Sequence, residues 1–167
     1  LDALTEPADR FLEHSLIFAL IEIGDIEATR TGLGSKNISQ RRAAMIALDQ
    51  MPGGELDPKQ VITELDSPDT RMRETAWWIV SRHPQLWGER LAAWLGHSAN
   101  DPQINDEERQ AFITRLAQVA KSSKLAEWMS TELTREGVQP GTQILLLKAM
   151  SDAGGRWANT SWVTAVL

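Results

Sequence analysis

Four side chains in one stretch have the types and spacing for recognition chemistry. Arg71, Glu74, Trp78 and Arg82 recur at three- and four-residue intervals, so on a helix they share one side. An indole bordered by two guanidiniums and a carboxylate can anchor a partner's apolar side chain or stack a base or sugar. Trp77 points about 100° away from Trp78 on the same helix and is expected to pack. Packing is also the ordinary fate of an indole such as Trp78, but its charged neighbours make it the better candidate for an exposed anchor. Trp87 and Trp94, two turns apart, read as a core stripe.

The usual catalytic constellations are missing. The three histidines, His14, His83 and His97, fall on separate elements, and none lies three or four residues from another, as a helical metal pair would. There is no cysteine, which excludes thiol catalysis, zinc–thiolate sites and thioether-linked haem within this segment. Asp25, Asp57, Asp69, Glu107 and Glu108 stand in expected caps or first turns, where the helix dipole favours acids. Glu13 and Glu22 interrupt an otherwise apolar helix; they are either buried or mark its polar side. Gly32–Ser35, Pro52–Gly54 and Gly154–Gly155 lack the Lys-Ser/Thr tail of a phosphate loop and read as turns. No catalytic, metal or cofactor residue is expected here, and the segment is not expected to be an enzyme.

Arginine recurs at Arg41, Arg42, Arg71, Arg73 and Arg109. A basic stripe would suit phosphate, but Asp49, Asp69 and Glu74 lie close by and the formal net charge is −6. Nucleic acid is therefore not the expected partner. The repeated Arg reads instead as a ladder of bonds to carbonyls or acids of the adjacent unit. The longest apolar run, Leu16–Ile21, is far short of the roughly 20 residues of a membrane span. The chain opens at Leu1 and stops at Leu167 within an apolar-looking run, from which a fragment of a longer protein is expected.

The elements that must hold these groups are helices. Hydrophobic residues make up 42% and charged residues 24%, which suits a globular domain without metal or disulfide support. Apolar positions recur at helical spacing, and with Tyr absent a sheet has little to build with. Asp57-Pro58 and Ser67-Pro68 each read as an N-cap followed by Pro at the first helical position. Gly24, Gly32, Gly96 and Gly137 lie where helices should end. The expected helices are near 7–23, 25–33, 37–50, 58–65, 68–82, 85–95, 105–120, 123–136, 140–153 and 158–167.

Internal similarity is the strongest signal. Ser35, Arg41 and Ala44 align with Ser67, Arg73 and Ala76 at an offset of 32, and Arg109 follows Arg73 by 36. Leu16–Leu20 lies 28 before Ala44–Leu48, and Gln143–Leu147 continues the series loosely. A period of this size with two helices per unit implies a helical solenoid.

The turn, the Arg, the small residue three later and the apolar run resemble HEAT repeats. Residues 67–76 are the best copy, 35–48 a good one, and 103–120 and 139–153 degenerate ones. The resemblance implies an α-α superhelix of about four to five helical pairs filling residues 1–167. It makes 37–50, 68–82, 105–120 and 140–153 the inner helices and 25–33, 58–65, 85–95 and 123–136 the outer ones. Residues 9–23, 41–51 and 75–79 further resemble the HEAT region of large bacterial multidomain proteins. Those carry it between a propeller domain resembling sugar dehydrogenases and a c-type haem domain. That likeness implies a scaffold or spacer whose partners are other domains of its parent, in the cell envelope or periplasm. The alternative is a nucleic-acid-binding HEAT-like protein of the alkylpurine DNA glycosylase type, with Trp78, Arg71 and Arg82 as its nearest imitation of a base site.

Overall fold

A computed structural model describes residues 10–101, 103–120 and 122–154, apart from the side chains of Arg10, Pro84, Gln85, Gly88 and Glu89. The described residues are all-α, with no strand among them. The helices run α1 Arg10–Ile23, α2 Ile26–Thr31, α3 Ile38–Gln50, α4 Pro58–Glu64, α5 Thr70–Arg82, α6 Pro84–Ala99, α7 Asp106–Val119, α8 Ser123–Leu133 and α9 Pro140–Asp152. A single 3-10 turn, Gly32–Gly34, follows α2. The expected helix near 158–167 and the first residues of the one near 7–23 lie outside the described residues. The chain divides into two compact units, the first ending at Ile79 and the second beginning at Val80.

In the first unit the same hairpin is written twice. Asp25 caps α2 by accepting from Ala28 N at 3.0 Å, and Asp57, 32 residues later, caps α4 by accepting from Lys59 N at 2.9 Å. Asn37 caps α3 through Ser39 N and Gln40 N; Asp69, again 32 later, accepts from Met72 N at 2.8 Å at the start of α5. Helices α3 and α5 are both 13 residues long. Each cap satisfies a backbone donor that the first helical turn leaves open. The buried positions also coincide: Ala43, Ala44, Met45, Ala47 and Leu48 on α3 match Thr75, Ala76, Trp77, Ile79 and Val80 on α5.

The repeated arginine closes each copy in the same way. Arg41 Nη1 donates to Ser35 O at 2.8 Å and Lys36 O at 3.4 Å. Arg73 Nη1 donates to Ser67 O at 2.7 Å and Pro68 O at 3.1 Å. These bonds turn back onto the loop of the same hairpin rather than across to a neighbour. Arg41 alone adds an acid from the next copy, Glu64, at 3.3 Å.

α1 lies against α3, where Ile17 packs on Ala43 with Leu16, Leu20, Ile21 and Ile46 around them. Alanines at 43, 44 and 47, all fully buried, let neighbouring helices approach closely. Gly54 is a similar close approach: a β-carbon there would fall 2.3 Å from Leu48 O.

In the second unit α6 packs on α8, α7 on α9 and α8 on α9. Leu91, Leu95, Leu116, Leu125, Met129, Leu145 and Leu146 are buried in this unit. Asn105 and Glu108 form a reciprocal capping box on α7. Trp87 is buried with its Nε1 donating to Val80 O at 3.1 Å, and Trp94 lies 6.2 Å from Phe112, ring to ring. Asn100 at the end of α6 donates to Glu132 Oε1 on α8 at 3.0 Å. The buried Thr142 hydroxyl of α9 lies 3.0 Å from Ala99 O and 3.1 Å from Asn100 Oδ1. One polar cluster thus ties three helices.

Three expected boundaries move. α5 begins at Thr70, not at Pro68, because the Asp69 carboxylate takes the capping role and the Ser67 and Pro68 carbonyls are given to Arg73. α6 does not stop at Gly96 but continues to Ala99. A β-carbon at Gly96 would sit 3.7 Å from the Trp128 indole, so this glycine fits an indole against the helix rather than ending it. α8 stops at Leu133 rather than 136, and the left-handed Gly137 (φ 78°) falls in the turn beyond it.

Candidate functional site

The three helices α1, α3 and α5 line one cleft of about 1000 Å³. The repeat register decides which residues face it. Phe18, Ile46 and Trp78 stand 28 and 32 residues apart and all line it; so do His14, Arg42 and Glu74, one helical turn earlier at the same spacings. Each helix therefore contributes the same two positions, one row mixed and polar, the next apolar.

Exposure follows the rows. Phe11 on α1 is 85% exposed, Phe18 57% and Trp78 39%, whereas Trp77, one residue earlier than Trp78, is 5% exposed. Position 77 matches the buried Met45 of the first copy, and position 78 matches the cleft-lining Ile46. The register, rather than the flanking arginines, accounts for the open indole.

The polar end of the cleft is organised by a buried acid. Glu13 on α1 accepts from Arg42 Nη2 on α3 at 2.8 Å through Oε1, and from Arg71 Nη2 on α5 through Oε2. The side chains are 7% exposed for Glu13, 15% for Arg42 and 56% for Arg71. A carboxylate can accept two guanidiniums at once because each oxygen offers its own lone pairs. Here one acid joins three helices. Arg71 is thus largely committed, while Glu74, one turn on, is exposed and forms no ion pair among the described residues.

No protein-family model, curated protein or solved structure matches the chain.

Of the expected contact residues, Arg71, Glu74 and Trp78 line the cleft together; Arg82, in the last turn of α5, is exposed but is not part of its lining. Arg41, Ala44, Arg73 and Ala76 occupy matched places in the two copies. Arg109 takes a different one, against α9: a β-carbon at Gly141 would lie 3.6 Å from its Nη1. Glu13, Arg42, Phe11, Phe18 and Ile46 were not singled out as a site by the sequence. Extending the offsets of 28 and 32 from Trp78 would have found Ile46 and Phe18. The acid–arginine cluster left only the hint of a carboxylate inside an apolar run.

The chemistry of the cleft is that of contact. Thr75, its one hydroxyl, donates to Arg71 O at 2.9 Å, and Glu13 is bound by two cations. Among the described residues no group of three His, Cys, Asp or Glu could hold a metal ion. No helix of the described residues is long and apolar enough to cross a membrane. A smaller depression of about 330 Å³ lies beside Arg41, Met45 and Glu64; the Arg41–Glu64 pair occupies its polar side.

Proposed function

We propose that this chain is a HEAT-like solenoid segment that spaces or docks protein domains and catalyses no reaction of its own. The observation that carries this reading is the clasp built twice, Arg41 on the carbonyls of Ser35 and Lys36, Arg73 on those of Ser67 and Pro68. Identical bonds at a fixed offset are what a repeated hairpin unit produces. Helices two apart in sequence also lie together within each unit, α1 on α3 in one, α6 on α8 and α7 on α9 in the other. Stacked hairpins bury their apolar stripes in this way and leave an extended surface for contacts.

The partners in this reading are other domains of a larger bacterial protein, the dehydrogenase-like propeller and c-type haem domain that the sequence resemblance implies, in the cell envelope or periplasm. The rival, base recognition in DNA, gains little from the cleft. Arg42 and Arg71 are shared by Glu13, and Glu74 adds a second negative charge beside Trp78, so few cations remain for phosphate.

The test is titration calorimetry of the segment against the flanking domains of its parent, expressed separately, and against duplex DNA. Docking predicts a saturable complex with one flanking domain and none with DNA at 50–100 mM salt, the range in which phosphate contacts are strong. Tight, steeply salt-dependent DNA binding would replace the proposal with its rival.

A further inference from the structure

We propose that the α1–α3–α5 cleft receives an amphipathic helix from a partner protein, its apolar side chains on Phe18, Ile46 and Trp78 and a lysine or arginine on Glu74. The inference rests on the contact-module reading and names the class of partner.

Charge selects the sign. Of the charged residues lining the cleft, Glu13, Arg42 and Arg71 satisfy one another, and Glu74 is the one acid left without an ion pair among the described residues. It stands one helical turn before Trp78 on α5, whose ring face also favours a cation. The whole chain carries a formal charge of −6, which steers a basic segment toward it and an acidic one away.

Geometry selects the helix. An extended peptide needs a strand edge or side-chain donors along its length to satisfy its backbone, and the cleft is walled by three helices whose cleft positions at 18, 46 and 78 are apolar. A helix meets its own backbone bonds and needs only an apolar stripe. A helix is about 10 Å across and rises 1.5 Å per residue, so the cleft volume of about 1000 Å³ holds roughly eight residues, two turns. The two lining rows are themselves one turn apart, matching anchors at i and i+4 on the incoming helix.

Two fluorescein-labelled model peptides test this, an amphipathic helix of leucine and lysine and the same sequence with glutamate for lysine, read by anisotropy at 150 mM salt. The intact protein should bind the leucine–lysine peptide at least tenfold more tightly than the leucine–glutamate peptide. Glu74→Lys should reverse that order, and Trp78→Ala should weaken the leucine–lysine peptide about tenfold, as loss of an aromatic anchor does. Ile144→Ala, at an exposed apolar residue of α9, should change neither. Circular dichroism establishes that each variant is folded. Absence of binding, equal affinity for the two peptides, indifference to Glu74→Lys, or an equal loss in Ile144→Ala would each overturn the proposal. Failure here leaves the repeat reading standing, because that reading is tested separately by excision of one repeat, which involves no ligand.

Discussion

Replacing Glu13 by Ala should destabilise the first unit by about 2–4 kcal/mol, nearly all of it through one of the two arginines. The Arg42 link is a charge-assisted bond of 2.8 Å between side chains 15% and 7% exposed; bonds of this kind contribute roughly 1.5–3 kcal/mol. Removing the acid also leaves the Arg42 guanidinium buried without its counter-ion, which adds to the cost. The Arg71 side chain is 56% exposed, so solvent screening limits its share to under about 1 kcal/mol. Urea unfolding followed at 222 nm gives each single variant, and double-mutant cycles separate the links. The expected coupling is roughly 1.5–3 kcal/mol for Glu13 with Arg42 and below about 1 kcal/mol for Glu13 with Arg71, given these exposures. Replacing Glu13 and Arg42 together by Leu should recover much of the loss, since an apolar pair needs no counter-ion. A cost under about 0.5 kcal/mol for Glu13→Ala, or equal couplings to the two arginines, would refute the buried-acid argument.

Other perturbations probe the frame around the cleft. Arg73→Met removes the clasp on Ser67 O and Pro68 O and should cost about 1–3 kcal/mol, with Arg41→Met alike or slightly worse because Glu64 loses its partner too; chemical denaturation measures both. Gly54→Ala should destabilise by about 2 kcal/mol or more, an overpacking cost, because its β-carbon would meet the Leu48 carbonyl at 2.3 Å; a neutral result in the same assay would remove the close approach. In the second unit the Arg135 hydrogen bond, with Asn100 and the Arg135 charge assisting and burial opposing, holds the Glu132 carboxyl below its ordinary 4.5. A depressed folded value means that Glu132 stabilises above the unfolded value and that this is lost as pH falls through the folded one. Thermal melts of the protein and Glu132→Gln should therefore differ at pH 7 and converge below about pH 4.5; a constant gap would contradict the assignment.

The helices were legible because their ends are written in local chemistry. Asp25, Asp57, Asn37 and Asn105 cap within three residues of themselves, and that relation is visible along the chain. The start of α5 was misjudged where two local signals compete: Ser67-Pro68 reads as cap and first residue, but Asp69 caps more strongly and frees two carbonyls for Arg73. Gly96 misled because its role is set by Trp128, on another helix. The contact residues of α5 were visible as a face, but not why Trp78 stays open while Trp77 is buried. That depends on a register shared with Phe18 and Ile46, whose side chains differ in type and so do not announce a repeat. Glu13 was visible only as an oddity, since its partners lie 29 and 58 residues away.

The central claim is that α2–α3 and α4–α5 are two copies of one 32-residue unit, and excising a copy tests it most directly. Removing residues 41–72 joins Gln40 to Arg73, which then falls six residues after Ser35, where Arg41 stood; Glu74→Arg restores an arginine opposite Glu13. A control excision of 41–70 leaves the joined helix two residues out of register, about 200° around its axis. The account predicts that the in-register chain keeps its helical circular dichroism and unfolds cooperatively in urea, while the control does not. Equal behaviour of the two, folded or unfolded, would contradict it.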